Sequence, residues 1–283
     1  MKADLHLHSN ASDGAHSPAE VTEFCRRAKV GVMSLTDHDT TAGLDEAAAA
    51  ARLAGIRFLR GVEISSQWAG RSVHVVALGV PQANGQFEDF LAHVRALRLE
   101  RSRRIGAKFA EIGIPGAWEG AVSEAGGPEN LSRTHFALWL LHSGGVTHYE
   151  DAFERYLGAG GPCAVPRNWP QMEEVVSFIR ACGAEPVLAH PGRYRLEVGW
   201  QEEALVDAFC GAGGRSIEVA SGSQSEASGR RFAEIARRRG LYASVGSDWH
   251  SERSKRPMPG MVAQIPSDLT PVWSLFFEDS TQS

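Results

Sequence analysis

Seven short apolar segments are spaced along the chain, and residues that can bind metal ions lie in or beside most of them. The segments have the length and the branched side chains of buried β-strands. They cover residues 3–8, 30–35, 56–59, 73–78, 185–189, 217–220 and 241–245. A capping box, Ser17-Pro18-Ala19-Glu20, follows the first segment and predicts a helix that reaches about Lys29. Strand followed by helix, repeated, predicts parallel strands in an α/β barrel.

This alternation stops in the middle of the chain. Further helices of the repeating part are predicted over 42–54, 170–182 and 226–239, each followed by glycine. The central stretch is mostly helical instead, with predicted helices over 87–112, 131–142 and 148–157 and a Gly/Pro-rich end. We therefore expect a barrel formed by residues 1–80 and 166–283, with a helical insertion over 81–165 that covers the active site.

Histidines and carboxylates accumulate at these strand segments. Residues 3–8 read Ala-Asp-Leu-His-Leu-His, so strand alternation predicts one face with Asp4, His6 and His8 and the opposite face with Ala3, Leu5 and Leu7. One His-x-His alone is as consistent with hydrogen-bonded core histidines as with a metal site. The other candidates are Asp13, Asp37, His38, Glu63, His74, His190, Asp248 and His250. Nitrogen and oxygen ligands gathered at strand ends indicate a hydrolytic site for several metal ions.

Composition agrees with a globular enzyme. The 283 residues are 43% hydrophobic with a formal net charge of −5, which argues against a general nucleic-acid surface. We therefore expect no duplex DNA partner. We also expect no membrane segment, because no apolar stretch approaches about 18 residues. There is no signal-peptide pattern, and the four cysteines lack Cys-x-x-Cys spacing. These features favour a cytoplasmic protein with reduced thiols.

The motifs resemble those of the PHP (polymerase and histidinol phosphatase) family, which belongs with the amidohydrolase-like metal enzymes. The resemblance runs from residue 3 to about 256. It is carried by His6-Leu7-His8-Ser9, Ser12-Asp13-Gly14, Thr36-Asp37-His38-Asp39, Gly61-Val62-Glu63, His74, Ala189-His190-Pro191 and Ser247-Asp248-Trp249-His250. Three further stretches resemble the branch of nucleotide bisphosphate phosphatases and 5′→3′ exoribonucleases. They are Ser132-Arg133-Thr134-His135, Tyr156-Leu157-Gly158, and 165–170 leading to 189–194, with Thr134 standing where the branch more usually has proline.

The resemblance implies a distorted (β/α)7 TIM-like barrel and three divalent ions per chain, Mn²⁺ first, with Zn²⁺, Mg²⁺ or Fe²⁺ as alternatives. It implies three ligand sets: His6, His8, Glu63 and Asp248; Glu63, His74 and His190; and Asp13, His38 and His250. Asp248, His190 and Glu63 are the expected catalytic residues. Asp37 and Asp39 flank a ligand and are expected to orient it or to be structural. No cysteine belongs to the set, which disfavours a structural zinc site.

Phosphate binding requires cations beyond the metals. Arg133, His135 and Arg193 lie in or beside the motifs and are the predicted substrate contacts. Arg167, Arg253, Lys255 and Arg256 are weaker candidates, and the last two are more simply explained as a solvated basic face. The arginines between 95 and 104 are likewise more simply a solvated helix face than an RNA contact.

The resemblance therefore implies a metal-dependent phosphoesterase acting on nucleotides. The expected reaction removes the 3′-phosphate of a nucleoside 3′,5′-bisphosphate, or opens a related cyclic phosphate, with short RNA as a further substrate. Two alternatives stay open: a phosphatase for histidinol phosphate or another small molecule, and a non-catalytic metal-binding module. The complete ligand set argues against the module, and the Arg-x-His stretch and the insertion favour nucleotides. The sequence leaves the base preference and the oligomeric state open.

Overall fold

The computed structural model describes residues 1–277. The chain divides into two compact units, one formed by Met1–Asp89 with the chain from Pro170 onward, and one formed by Phe90–Trp169. The expectation that an insertion over 81–165 covers the active site stays a prediction. No helix within residues 1–277 combines the length and apolar character needed to cross a bilayer.

A mixed sheet of seven strands forms the first unit. In chain order the strands are β1 (Ala3–Asp4), β2 (Val32–Leu35), β3 (Arg57–Trp68), β4 (Arg71–Leu78), β5 (Glu185–Leu188), β6 (Ser216–Ser221) and β7 (Tyr242–Gly246), and each pairs with the next. Backbone bonds from Leu5 N–H to the Val245 carbonyl (2.9 Å) and from Asp248 N–H to the His6 carbonyl (2.8 Å) join the last strand to the first. The sheet is thereby nearly closed into the distorted, TIM-like α/β barrel that the sequence predicts.

The prediction that all strands are parallel is wrong for β4. This strand is antiparallel to both β3 and β5. A two-residue turn, Ala69-Gly70, with positive φ at both positions (47° and 73°), joins β3 to β4. Such a turn matches the twist of a hairpin and leaves no length for a crossover helix. β3 also continues to Trp68, so Glu63 lies inside the strand and not at its end.

The alternation expected for residues 3–8 holds only in part, because His6 and His8 come together (ring centroids 5.2 Å apart) but Leu7 does not pack with Ala3 and Leu5. Pairing of β1 with β2 ends at Asp4, and beyond it Leu5 and Leu7 pack in different hydrophobic clusters. The Asp4 carboxylate accepts the backbone N–H groups of Ser247 (2.9 Å) and Gly260 (2.7 Å). Without continuous ladder bonds the chain is free to change faces, so a strict period of two holds only within the paired strand.

Helices follow most of the strands. They are α1 (Pro18–Arg27), α2 (Leu44–Ala54), α3 (Gly85–Glu111), α4 (Ala117–Glu124), α5 (Arg133–His142), α6 (Tyr149–Ala152), α7 (Met172–Ala181), α8 (Trp200–Gly211) and α9 (Glu226–Arg239). The Ser17–Glu20 capping box at the start of α1 is confirmed. Gly55 and Gly240 end α2 and α9 in the left-handed conformation, which glycine adopts without strain.

Each unit has its own core. The barrel interior is filled by apolar side chains from the strands, with Ala3, Val32, Leu59, Val76, Val187 and Val245 fully or almost fully buried. A second layer, which includes Val21, Met33 and Ala47, packs α1 and α2 against the sheet. The core of the other unit contains stacked Phe109 and Phe136, whose ring centroids lie 6.0 Å apart. The four cysteines are free thiols, as expected.

Candidate metal centre

Glu63 is fully buried in the middle of β3, and its carboxylate lies among five histidines. Its Oε1 is 2.6 Å from Nδ1 of His74 and 2.9 Å from Nε2 of His190. Its Oε2 is 3.2 Å from Nε2 of both His6 and His8, and 3.0 Å from Nδ1 of His38. One carboxylate therefore joins side chains from within β4 and from the segments that follow β1, β2 and β5.

Asp248 extends this cluster beyond the end of β7. Its Oδ1 lies 3.3 Å from Nε2 of His8 and 3.6 Å from Nε2 of His6. The approach of β7 to β1 depends on Gly246, because a Cβ there would lie only 2.1 Å from the Cβ of His6. The glycine thus allows two chain segments that carry ligand-type residues to come together.

A third part of the cluster forms beside His8. Oδ1 of Asp13 lies 3.2 Å from Nε2 of His250 and 3.9 Å from Nε2 of His38. The rings of His8 and His250 are 4.0 Å apart at their centroids. The structure therefore brings together all nine residues that the sequence singles out as ligands.

The ligand atoms fall into three overlapping groups in which all atoms lie within 4.8 Å of one another. The groups are His6, His8, Glu63 and Asp248; His8, Asp13, His38 and His250; and His38, Glu63 and His74. The first equals one expected set, whereas the third contains His38 where the resemblance implies His190. His190 still contacts Glu63 through Nε2.

Several of these atoms are suited to a metal because they are buried without a hydrogen-bond partner. Within residues 1–277 they include Nε2 of His6, both ring nitrogens of His8, Nδ1 of His38, Oε2 of Glu63 and Nδ1 of His190. Some lie within ion-pair distance of a carboxylate, yet their orientation is not that of a hydrogen bond. Such burial is costly unless the lone pairs are satisfied. Divalent ions with nitrogen and oxygen ligands would satisfy them.

Burial and the charges of neighbouring side chains raise the pKa values of some residues in the cluster and lower those of others. Burial opposes ionisation of Glu63, but His74, His38 and His6 outweigh it, and the pKa of Glu63 is held well below its usual value. Burial also opposes protonation of His8, but the carboxylates of Asp248 and Glu63 outweigh it and raise its pKa to about 9. For His74, burial dominates and lowers the pKa to about 3.

Burial and neighbouring charges also set the pKa values of Asp248 and His250. The pKa of Asp248 is held well below its usual value, because Arg256 and His6 overcome the effect of burial. Burial, reinforced by His8, lowers the pKa of His250 to about 4. Ionised carboxylates and unprotonated imidazoles are the forms that bind metal ions.

Serines and backbone groups hold the flanking aspartates. Asp37 accepts the backbone N–H of Ser9 (2.7 Å) and the hydroxyl groups of Ser9 and Ser12 (both 2.6 Å). Asp39 Oδ1 accepts the Ser65 N–H at 2.7 Å. Both carboxylates therefore fix the segments that carry His8, His38 and Glu63.

Three contacts of the cluster were not predicted from the sequence. Glu218, buried in β6, lies 2.6 Å from Nδ1 of His6, and a charged residue inside an apolar strand was the available signal. Arg256, which the sequence favours as a solvated residue, donates to the Asp248 carbonyl (2.5 Å) and carboxylate (3.1 Å) and contacts His250. Ser223 donates to Asp248 Oδ2. Nothing local to Arg256 or Ser223 in the sequence indicates these long-range contacts.

The predicted substrate contacts occupy different surroundings. Arg193 is half-exposed, and its Nη1 lies 3.6 Å from Asp248 Oδ2. Arg133, in the first turn of α5, donates to the Leu157 carbonyl (3.4 Å) and lies over the Phe153 ring. His135 is buried, and its Nδ1 accepts the backbone N–H of Ser132 at 3.1 Å, which caps the same helix. His135 therefore has a structural role, and its part in substrate binding stays a prediction.

The chain is similar to known proteins over most of its length. Residues 4–109 match the family model of the PHP domain. The chain is 43% identical to a 3′,5′-nucleoside bisphosphate phosphatase of Chromobacterium violaceum, covering 95% of this chain and 94% of that one. It is 37% identical to a 5′-3′ exoribonuclease of Haemophilus influenzae, covering 97% and 99%.

A solved structure shares the whole fold. It is an amidohydrolase from Chromobacterium violaceum with bound sulfate and no metal, 42% identical, with a TM-score of 0.90 over 97% of this chain and 95% of that one. Sequence and structure thus agree over nearly the full length. The chain belongs to the PHP family and is a metal-dependent phosphoesterase.

Proposed function

We propose that this protein hydrolyses the 3′-phosphate of nucleoside 3′,5′-bisphosphates, giving the 5′-nucleotide and phosphate, and that it also trims short RNA from the 5′ end. The observation that carries this proposal is the convergence of buried imidazoles and carboxylates on Glu63. Relatives named as a bisphosphate phosphatase and an exoribonuclease support the choice of substrate. Related cyclic phosphates belong to the same substrate class.

The nine clustered residues hold three divalent ions in this proposal, with Mn²⁺ as the first candidate and Zn²⁺, Mg²⁺ or Fe²⁺ as alternatives. Bound ions of this kind lower the pKa of a water ligand and neutralise a phosphoryl group during in-line attack. Glu63, Asp248 and His190 would be among the residues that hold the ions closest to the reacting phosphate. The complete set of ligands disfavours the alternative of a non-catalytic PHP module.

Arg193 contacts the phosphate that is cleaved. Its half-exposed guanidinium lies 3.6 Å from the buried carboxylate of Asp248 and carries hydrogen-bond donors that match phosphate oxygens. This position lets Arg193 hold the phosphoryl group beside the cluster without itself being a metal ligand.

Arg133 and His135 bind the second phosphate of the substrate in this proposal. Positive charge is concentrated around Arg133. Burial and the nearby guanidinium groups of Arg133, Arg167 and Arg98 lower the pKa of Arg101 to about 9. Arg101 and Arg98 are held in place by the Val165 carbonyl (3.1 Å) and the Trp169 ring (5.3 Å). A phosphate dianion would relieve the mutual repulsion of these cations.

Arg133→Ala tests this assignment. On adenosine 3′,5′-bisphosphate, kcat/KM should fall by roughly 10- to 200-fold, as loss of one charge-assisted contact implies. Hydrolysis of a simple aryl phosphate and the bound metal should be unchanged. Arg155→Ala, at an exposed position in the same unit, is the matched control. An equal loss on both substrates would show that Arg133 does not recognise the nucleotide.

A substrate panel separates the proposal from its main alternative. Phosphate release should be fastest from 3′,5′-bisphosphates, and the panel includes cyclic phosphates, short RNA and histidinol phosphate. A preference for histidinol phosphate over every nucleotide would replace the proposal with a small-molecule phosphatase. We infer a cytoplasmic enzyme whose partners are nucleotides and short RNA, without duplex DNA or membrane partners.

A further inference from the structure

Glu218 connects two residues of the metal centre, although it is not one of the nine candidate ligands. It lies in the middle of β6 and is almost completely buried. Its Oε1 is 2.6 Å from Nδ1 of His6, a residue that follows β1. Its Oε2 accepts the backbone N–H of His190, just beyond β5, at 2.6 Å. One side chain thus makes a hydrogen bond with each of its oxygens to a different segment of the site.

The contact with His6 determines which ring nitrogen can bind a metal. An ionised carboxylate only accepts hydrogen bonds, so Nδ1 of His6 must carry the proton. The lone pair then resides on Nε2, the atom that lies 3.2 Å from Glu63 and 3.6 Å from Asp248. Glu218 therefore turns the ligand nitrogen of His6 toward the cluster and fixes its tautomer.

The contact with His190 stabilises an unusual backbone conformation. His190 has φ 28° and ψ 56°, in the left-handed region that side chains other than glycine rarely adopt. Such a conformation is strained and persists only where its surroundings hold it. The buried hydrogen bond to Glu218 is one such restraint, and it places the His190 ring against Glu63.

We propose that Glu218 is a positioning residue, which sets the tautomer of His6 and the backbone of His190 and so tightens metal binding. This inference rests on the metal-binding part of the proposed function and not on the identity of the substrate. It assigns to β6 a role in the centre, although that strand supplies none of the nine candidate ligands.

Glu218→Gln tests the inference with almost no change in shape. Two donors, His6 Nδ1–H and His190 N–H, face the carboxylate, whereas a glutamine offers one acceptor oxygen and one NH₂ donor. The variant can satisfy only one of the two donors. Either His6 changes tautomer and presents a protonated Nε2, or the His190 N–H is left buried without an acceptor. Metal affinity should therefore fall by about 10- to 100-fold.

Glu185→Gln is the matched control. Glu185 is a buried carboxylate at the start of β5 that binds Arg180 (2.9 Å), Arg215 (3.0 Å) and Ser216 (2.6 Å), and it contacts no candidate ligand among the described residues. Its loss should destabilise the protein without altering metal binding. The pair therefore separates a positioning role from a general contribution of a buried glutamate to stability.

The experiment titrates the wild type and both variants, stripped of metal, with Mn²⁺ by calorimetry, and records the thermal unfolding of each metal-free protein. The expected result is a Kd 10- to 100-fold weaker for Glu218→Gln alone. An unchanged Kd for this variant, or an equal weakening in both variants, would overturn the inference. A wild type that binds no metal would overturn the proposed metal centre as well, so the two failures are distinguishable.

A second measurement needs no variant and remains decisive if Glu218→Gln does not fold. Nitrogen-15 spectra of the Zn²⁺-loaded wild type should show His6 with a proton on Nδ1 and none on Nε2. A His6 ring with an unprotonated Nδ1 would contradict the role of Glu218 directly.

Discussion

Metal binding should depend steeply on pH because of His8. The pKa of its buried imidazole is raised to about 9 in the metal-free protein, where Asp248 and Glu63 outweigh burial. A metal ion that binds a ring nitrogen must displace the proton. At pH 7 this competition should weaken apparent binding by about a hundredfold, since each pKa unit is worth about 1.4 kcal/mol. His6, whose pKa is also raised, should add to the effect.

Calorimetric titration with Mn²⁺ in two buffers of different ionisation enthalpy measures the protons released. At pH 7 we expect about two protons per chain, one from His6 and one from His8, and binding that tightens at least tenfold by pH 8. His142→Asn is the control, because His142 is exposed and pairs with Glu124 outside the cluster. Metal binding at pH 7 without proton release would refute this electrostatic account.

The raised pKa of His8 also affects the stability of the metal-free protein, which should decrease as pH rises. Because the folded-state pKa of His8 lies above its usual 6.5, its contribution to stability is complete below pH 6.5 and is lost as pH rises through about 9. Asp13, Glu63 and Asp248 have lowered pKa values, so their contributions persist throughout this range. The free energy of unfolding in urea should therefore fall between pH 6.5 and 9, by up to about 3 kcal/mol.

Three substitutions test the assembly of the centre. Asp248→Ala or His190→Ala should abolish turnover, because each removes a ligand. The near-ultraviolet circular dichroism should stay native, because each change removes little of the core. Near-normal kcat in a metal-replete Asp248→Ala protein would contradict the assignment. Gly246→Ala would place a Cβ 2.1 Å from the Cβ of His6 and should weaken Mn²⁺ binding by about 10- to 100-fold, as loss of the ligand's positioning implies. Gly211→Ala, where a Cβ meets nothing within 4 Å, is its control, and equal metal affinities for the two variants would disprove the steric argument.

Much of the fold and the clustering of candidate ligands could be predicted because the signals are local. The Ser17–Glu20 box starts α1, and Gly55 and Gly240 end helices where the sequence places them. Seven of the nine candidate ligands follow β1, β2, β5 and β7, and these strands bring their ends to the region that Glu63 and His74 reach from within β3 and β4. These features depend on short-range propensity and on one general property of α/β barrels.

The features that the sequence did not predict depend on a turn, on the end of a strand pairing and on contacts between residues far apart in the chain. The direction of β4 depends on the Ala69-Gly70 turn, which periodicity alone does not reveal. The change of face between Leu5 and Leu7 depends on where ladder pairing stops. Arg256 reaches Asp248 through a loop whose path no local pattern encodes. The support from Glu218 becomes visible only when β6 is seen beside His6.

The central proposal is that ions held around Glu63 perform phosphate ester hydrolysis. The most direct measurement takes metal-free protein through a Mn²⁺ titration and determines, on the same samples, metal content and phosphate release from adenosine 3′,5′-bisphosphate. We expect no turnover without metal, and activity that rises with occupancy and levels off near three ions per chain, with the 5′-nucleotide as product. Full turnover in folded protein that holds no metal, or saturation at a single ion, would contradict the account.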